Sequence, residues 1–167
     1  WGDGDSQSNV SFPISHNYIG FGTYNMQITA IGDNGCTNTI TYSVKNASNP
    51  SGGLATPGDT LNLCAPTEDI QFVISTWGTN TSDTTYEIDY GDGTIVLYSQ
   101  IELEASTYYN TSNPSASVPF PIQPHSYTET SCPDEFVARL WIRNACAPDP
   151  NPATVPNIRI IISPDAN

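Results

Sequence analysis

The stretch Tyr86-Glu87-Ile88-Asp89-Tyr90-Gly91-Asp92-Gly93-Thr94 decides how this chain folds. Tyr86, Ile88 and Tyr90 alternate with Glu87 and Asp89, the period of two that belongs to a half-buried strand. Gly91-Asp92-Gly93 then supplies residues that tolerate positive φ, as tight β-turns require. The chain opens on a second copy, Trp1-Gly2-Asp3-Gly4-Asp5. Each copy is followed by a His-x-Tyr, at His16-Asn17-Tyr18 and at His125-Ser126-Tyr127, then by an alternating strand and a cysteine. One order of landmarks met twice is the mark of a tandem repeat.

Strands extend outward from these landmarks. In the first copy, 10–14 alternates briefly, and 23–31 alternates clearly with Tyr24, Met26, Ile28 and Ala30 on one face. Gly32-Asp33-Asn34-Gly35 signals a turn, and 39–44 returns as the last strand. Such a half cannot bury a core alone, so its missing strands are expected ahead of Trp1 or on a neighbour. Residues 47–53 carry Pro and Gly without apolar period and are expected to be a linker. Residues 54–167 read as a complete domain, with strands expected at 61–63, 70–74, 85–90, 94–98, 118–122, 136–142 and 158–162. The edge position for 118–122 follows from its prolines. An insertion occupies about 95–122, where 101–104 alternates as a strand and 113–119 reads as a loop. Many short strands in a domain of this size predict an all-β, immunoglobulin-like sandwich, with a truncated first module at 1–46.

Charge narrows the function. Among 167 residues, 17 are acidic and only Lys45, Arg139, Arg143 and Arg159 are basic, a net charge of -13. A nucleic-acid ligand needs a basic footprint, so that class is excluded. An anionic membrane surface would repel the chain, and no apolar run is long enough to span a bilayer. Four cysteines without a Cys-x-x-Cys point to an oxidising compartment and not to zinc.

Several side chains are candidates for chemistry. His16 and His125 are of the type used as general bases, and Asp89 with Asp92 of the type used as a hydrolytic pair. No Ser or Cys lies in an activating motif beside them, so the chain is not expected to be an enzyme. Asp3, Asp5, Asp33, Asp89 and Asp92 lie in oxygen-rich turns and are candidate calcium ligands. No other cofactor is expected. Trp77 and Trp141, with Tyr108 and Tyr109, are candidates for stacking on a glycan; the opposing expectation is that they pack in the core.

The ordered set of aromatic-x-x-aromatic-Gly-Asp-Gly, His-x-Tyr and an alternating strand resembles the PKD (polycystic kidney disease) repeat. It covers both copies: Trp1-Gly2-Asp3-Gly4, His16-Asn17-Tyr18 and Gly22-Thr23-Tyr24-Asn25-Met26-Gln27-Ile28; then Tyr86 to Gly93, His125-Ser126-Tyr127 and Phe136-Val137-Ala138-Arg139-Leu140. The second copy departs by its longer stretch between Gly-Asp-Gly and His-x-Tyr, and by Thr-Ser-Cys-Pro where the first has Gly-Phe-Gly. The resemblance implies that Trp1, Asp3, His16, Tyr18, Tyr90, Asp92, His125 and Tyr127 are structural landmarks. Leu63-Cys64-Ala65-Pro66, Ser131-Cys132 and Asn144-Ala145-Cys146 are similar to repeats of very large Bacteroidetes surface proteins, including SprB-like gliding-motility adhesins. That implies type IX secretion and display at the cell surface. The implied function is a non-catalytic spacer in an adhesin or gliding filament, with neighbouring repeats and surface glycans as partners. The alternative is a glycan-binding accessory module of a secreted polysaccharide- or protein-degrading enzyme.

The same resemblance bears on cysteine pairing. Cys132 and Cys146 flank a strand of about eight residues, rising about 3.3 Å each, whereas a disulfide needs Cα atoms within about 7 Å. Cys64 is therefore expected to pair with one of them. Family position favours Cys146 and ordinary sandwich topology Cys132; the pairing the resemblance implies is Cys64–Cys146. Cys36 matches Cys146, which implies a partner ahead of Trp1. Asp59-Thr60-Leu61 and Asp83-Thr84-Thr85 are similar to O-glycosylation sites of exported Bacteroidetes proteins.

Overall fold

The structure is a computed structural model that describes residues 1–56, 60–67, 69–131, 134–149 and 157–164. It is mostly β and divides into two compact units, Trp1–Ser48 and Asn49–Asn167. Among the described residues no helix is long and apolar enough to cross a membrane.

The first unit is a long antiparallel hairpin with its amino-terminal segment beside it. Strand β1 (Gly22–Ile31) pairs with β2 (Thr37–Asn46) from Gly22↔Asn46 to Ile31↔Thr37. The turn between them is closed by the Gly35 N–H donating to Gly32 O at 2.8 Å. Residues 10–14, expected as a strand, form none. Tyr24, Met26 and Ile28 share one half-buried face of β1, but Ala30 is exposed and no side chain of this unit is fully buried. Two strands offer one surface and nothing to close it against.

The second unit has two sheets around one apolar core. Its strands are β3 (Gly53–Ala55), β4 (Thr60–Cys64), β5 (Val73–Ser75), β6 (Thr85–Asp89), β7 (Ile95–Ser99), β8 (Phe120–Pro121), β9 (Phe136–Arg143) and β10 (Asn157–Ser163). The larger sheet runs β4-β10-β9-β6-β7 and the smaller β3-β5-β8. Among the described residues only the β4–β10 pair is parallel; the other pairings are antiparallel. Alternation sets the burial: Tyr86 and Ile88 of β6, Ala138, Leu140 and Ile142 of β9, and Ile158, Ile160 and Ile162 of β10 face inward. Leu54, Phe72 and Ile74 meet them from the β3–β5 side within the same core. β7 and β8 are edge strands, and Pro121 costs no ladder bond at an edge.

Three expectations are corrected here. The linker ends earlier than residue 53. Ser51 donates its N–H to Asn80 Oδ1 at 2.9 Å and its hydroxyl to Thr76 O at 2.8 Å, and Gly53 already pairs with Ser75. The second strand lies at 73–75 and not 70–74, because Ile70 instead bridges to His125. Residues 101–104 are not a strand but part of helix α1 (Gln100–Glu104). Ser99 Oγ accepts from the Glu102 N–H, and the Glu102 carboxylate accepts from the Ser99 N–H at 2.6 Å, a reciprocal cap that starts the helix.

Candidate functional site

Gly-Asp-Gly and His-x-Tyr come together in both units. In the second, the turn after β6 puts Asp92 Oδ2 2.8 Å from His125 Nε2. A carboxylate can only accept, so Nε2 carries the proton it donates. Asp92 Oδ1 accepts the Thr94 N–H at 2.9 Å, and Asp89 Oδ1 accepts the Gly91 N–H at 2.8 Å. The His125 ring stacks on Tyr90 at 3.9 Å between centroids, with 8° between planes, and meets Tyr127 edge-on at 4.7 Å. The Tyr127 hydroxyl, inside the core, donates to Tyr90 O at 2.9 Å. Backbone bonds between Ile70 and His125, at 2.8 and 3.0 Å, hold the histidine's own position.

The first unit repeats the set. His16 Nε2 lies 2.6 Å from Asp3 Oδ2, and the Asp5 N–H donates to Asp3 Oδ1 at 3.1 Å. His16 stacks on Trp1 at 4.6 Å and 7°, and meets Tyr18 edge-on at 4.7 Å. Tyr18 Oη donates to Trp1 O at 2.9 Å. The match reaches the next strand, where Tyr18 stacks on Tyr24 and Tyr127 stacks on Phe136.

The first glycine of each triplet has a double reason. Gly91 holds φ +84°, and a Cβ there would lie 2.6 Å from Val137 N; Gly2 holds φ +93°, with a Cβ 2.8 Å from Asn25 N. Left-handed backbone and a close approach to the following strand both demand the missing side chain.

Electrostatics follow from these contacts. The hydrogen bond from His16 holds the Asp3 carboxyl below its ordinary value, despite some loss of hydration. Burial works to raise Asp92, but the Thr94 N–H and His125 outweigh it and the carboxyl stays low. Burial pushes the Tyr90 phenol up to about 12. It also pushes up Tyr127, aided by the negative charge of Asp92. Both imidazoles are mostly covered, at 10% and 14% side-chain exposure, so neither Nε2 opens onto a cleft. The chemistry available is mutual satisfaction: each carboxylate accepts from backbone and imidazole, and each phenol spends its proton on a carbonyl.

No protein-family model matches this chain, and no curated protein matches it.

The other candidates separate. The candidate calcium ligands fall in two sets, Asp3, Asp5 and Asp33 in the first unit and Asp89 and Asp92 in the second. Asp33 lies in the β1–β2 turn. Among the described residues the sole group of three metal-capable side chains is Asp3, Asp5 and His16, with ligand atoms within 4.8 Å of one another. Asp3 and Asp5 offer the carboxylate oxygens that calcium prefers, whereas His16, bonded to Asp3, offers a nitrogen that a hard cation does not favour.

Trp77 is not a glycan platform. It is fully buried, donates Nε1–H to Val118 O at 3.1 Å, and packs against Tyr109 and Phe120 of the insertion. Gly78 lets that insertion close down, since a Cβ there would sit on Pro114 O. Trp141 is half-buried on the opposite parity to Leu140 and Ile142, with the Arg143 guanidinium 5.6 Å from its ring centroid. Tyr108 is partly exposed.

Cys64 and Cys146 are not bonded to each other; both are exposed. Cys64 ends β4 opposite Ser163, at the edge of the sheet where β9 begins. Cys146 follows the far end of β9, whose eight residues span roughly 26 Å at about 3.3 Å each. That length forbids the bond. Cys132 lies outside the described residues, as do Asp59 and the Thr60 side chain. Thr84 is fully buried and cannot take a glycan.

A polar chain absent from the sequence expectations crosses the second unit. Asn80 Nδ2 donates to Ser51 O and to Tyr86 Oη, each at 2.6 Å. Tyr86 Oη donates to Gln100 Oε1 at 2.5 Å, and Gln100 Nε2 donates to Glu104 Oε1 at 2.9 Å. No periodicity announces such partners, which lie on a loop, a strand and a helix.

Proposed function

We propose that this chain is a non-catalytic structural repeat of a secreted cell-surface adhesin or filament, serving adhesion or gliding motility as a spacer. Its two units are PKD-like modules of one immunoglobulin-like sandwich plan, the first of them truncated. The observation that carries this reading is the doubled Asp–His–Tyr cluster, whose polar atoms bond to one another and to nearby backbone. A catalytic dyad keeps its imidazole open to substrate; these imidazoles are stacked and largely covered. Neighbouring repeats of the same string are its partners, outside the cell after type IX export.

The test is His125→Ala in the whole chain. A brace predicts a lower melting temperature and a lower unfolding force for the second unit, with no hydrolysis of ester, peptide or glycoside substrates before or after substitution. Hydrolysis abolished by His125→Ala at unchanged melting temperature overturns the reading. One observation favours the accessory-module alternative: Trp141 sits on the outward face of β9 beside Arg143, opposite Glu87 and then exposed Leu97. Retention on insoluble polysaccharide, lost in Trp141→Ala while folding persists, would select that alternative.

A further inference from the structure

We propose that the free edge of β7 pairs, antiparallel, with β7 of a second copy of this chain, Ile95 opposite Leu97 and Val96 on the two-fold axis. The inference follows from β7 itself and goes beyond the spacer reading.

Hydrogen-bond parity shows which groups are free. Residues of an antiparallel strand alternate between those bonded to the neighbouring strand and those turned away from it. Tyr90 donates its N–H to Thr94 O at 3.0 Å, and Gln100 donates its own to Thr84 O at 2.9 Å. Both pairs continue the β6–β7 register, so Thr94, Val96, Tyr98 and Gln100 turn their backbone toward β6. Ile95, Leu97 and Ser99 turn theirs to the open side, where β7 is the last strand of its sheet. The Ser99 N–H is already taken by the Glu102 carboxylate at 2.6 Å. What remains is the N–H and C=O of Ile95 and of Leu97. Their side chains are 56% and 68% exposed, so no described residue covers them.

Proteins blunt such an edge with charge, proline or a bulge. At the β8 edge stand Pro119 and Pro121. β7 has none of these devices. No residue from Gly93 to Ile101 is charged or proline, and the register with β6 runs without a skip. The strand is also held from its inner face. The Tyr98 hydroxyl accepts the Gln123 N–H at 3.1 Å, and its ring meets Phe120 edge-on. An edge fixed in this way loses little freedom when a partner strand adds to it.

Charge selects both the partner and the register. A net charge of -13 keeps copies apart wherever their carboxylates meet, so two copies approach with least repulsion along an uncharged strand. With Val96 on the axis, each Ile95 faces a Leu97 and the two residues exchange both backbone bonds. The four side chains then form one apolar cluster on the outer face of the joined sheet. Asp92 falls beside Gln100 of the second copy. Moving the axis to Leu97 would instead set Ile95 against Ser99, whose N–H is taken, and Asp92 against Glu102. The pairing consumes the edge it uses, so assembly closes at two.

The experiment is sedimentation velocity of the whole chain in reducing buffer, so that the exposed cysteines cannot crosslink copies. A strand-edge contact is small, so concentration is varied about a hundred-fold. Amide hydrogen exchange is read at both ends of that range. The expected result is a monomer when dilute and a dimer when concentrated, with exchange at Ile95 and Leu97 slowed about ten-fold in the dimer. Association should tighten at high salt, because screening relieves the repulsion between two acidic copies. Leu97→Lys should stay monomeric throughout, while Val118→Lys, a charge at another exposed apolar position, should dimerise like the parent. Leu97→Thr keeps a strand-former at the edge and should weaken the dimer even if Leu97→Lys fails to fold. A monomer at every concentration overturns the proposal. So does a dimer that survives both Leu97 substitutions, which places the contact elsewhere, and so does growth beyond the dimer.

Discussion

Replacing Tyr127 by phenylalanine removes one oxygen and keeps the ring. The hydroxyl donates to Tyr90 O at 2.9 Å from a residue only 1% exposed, so water cannot replace the lost donor. A hydrogen bond contributes about 1 kcal/mol net, and a buried acceptor left without a donor costs about 1–3 kcal/mol. The ring's stack on Phe136, at 4.9 Å, and its edge contact with His125 are unchanged, so no cavity term is added. We expect a loss of about 2 kcal/mol from the second unit. At roughly 4 °C per kcal/mol for a unit of this size, its calorimetric transition should fall by about 8 °C. The matching Tyr18→Phe acts on a half-buried phenol, where water can take the carbonyl, and should cost visibly less. Calorimetry of both variants and near-ultraviolet circular dichroism separate local from global change. A shift under about 1 °C for Tyr127→Phe would refute the claim that this corner braces the unit.

The remaining predictions use the same contacts. Gly91→Ala should destabilise more than Gly93→Ala: both hold positive φ, worth about 1–3 kcal/mol, but only at Gly91 does the new Cβ also strike the Val137 backbone. Denaturant titration of the two variants checks the order. The Asp92 carboxyl is held below its ordinary 3.8, so its stabilisation is present above that pH and is lost as pH falls through the lower folded-state value. Melting temperature followed from pH 7 to pH 2 should therefore drop more steeply at the acid end for the parent chain than for Asp92→Asn. Asn80→Ala should cost about 2–3 kcal/mol by stranding the Ser51 backbone and removing the donor to Tyr86 Oη, which keeps its own bond to Gln100, and hydrogen exchange should then rise at Ser51.

What the sequence disclosed and what it hid follow from the range of each interaction. β6, β9 and β10 were legible because alternation is local and one face of each is fully buried. β7 was legible as a strand, and β8 as an edge through its prolines. Helix α1 was readable in principle from Ser99-x-x-Glu102. With only five residues it shows no helical period, and the alternation of Ile101 and Leu103 imitates a strand. β3 was invisible because a three-residue strand inside a Gly/Ser stretch carries no pattern of its own; it exists through its pairing with β5. For Trp77 the core expectation is the one the structure follows, since Val118, Tyr109 and Phe120 close over the indole, and no local pattern in the sequence brings those residues to it. The cysteine assignment failed on a global quantity, the end of the sheet on which each residue falls.

The landmarks of the candidate site succeeded for the opposite reason. The Asp–His–Tyr cluster forms in a unit with a packed core and also in one with no fully buried side chain, with nearly the same distances. Its geometry therefore cannot be a product of core packing. It comes from two local devices: a glycine turn that aims the carboxylate, and a His-x-Tyr segment whose alternate side chains point to the same side. In the second unit the clasp joins the turn after β6 to the segment leading toward β9. It also explains why both carboxylates remain near the surface yet strongly engaged: the clasp sits at the rim of the unit, where imidazole and backbone N–H groups do what a core would otherwise do.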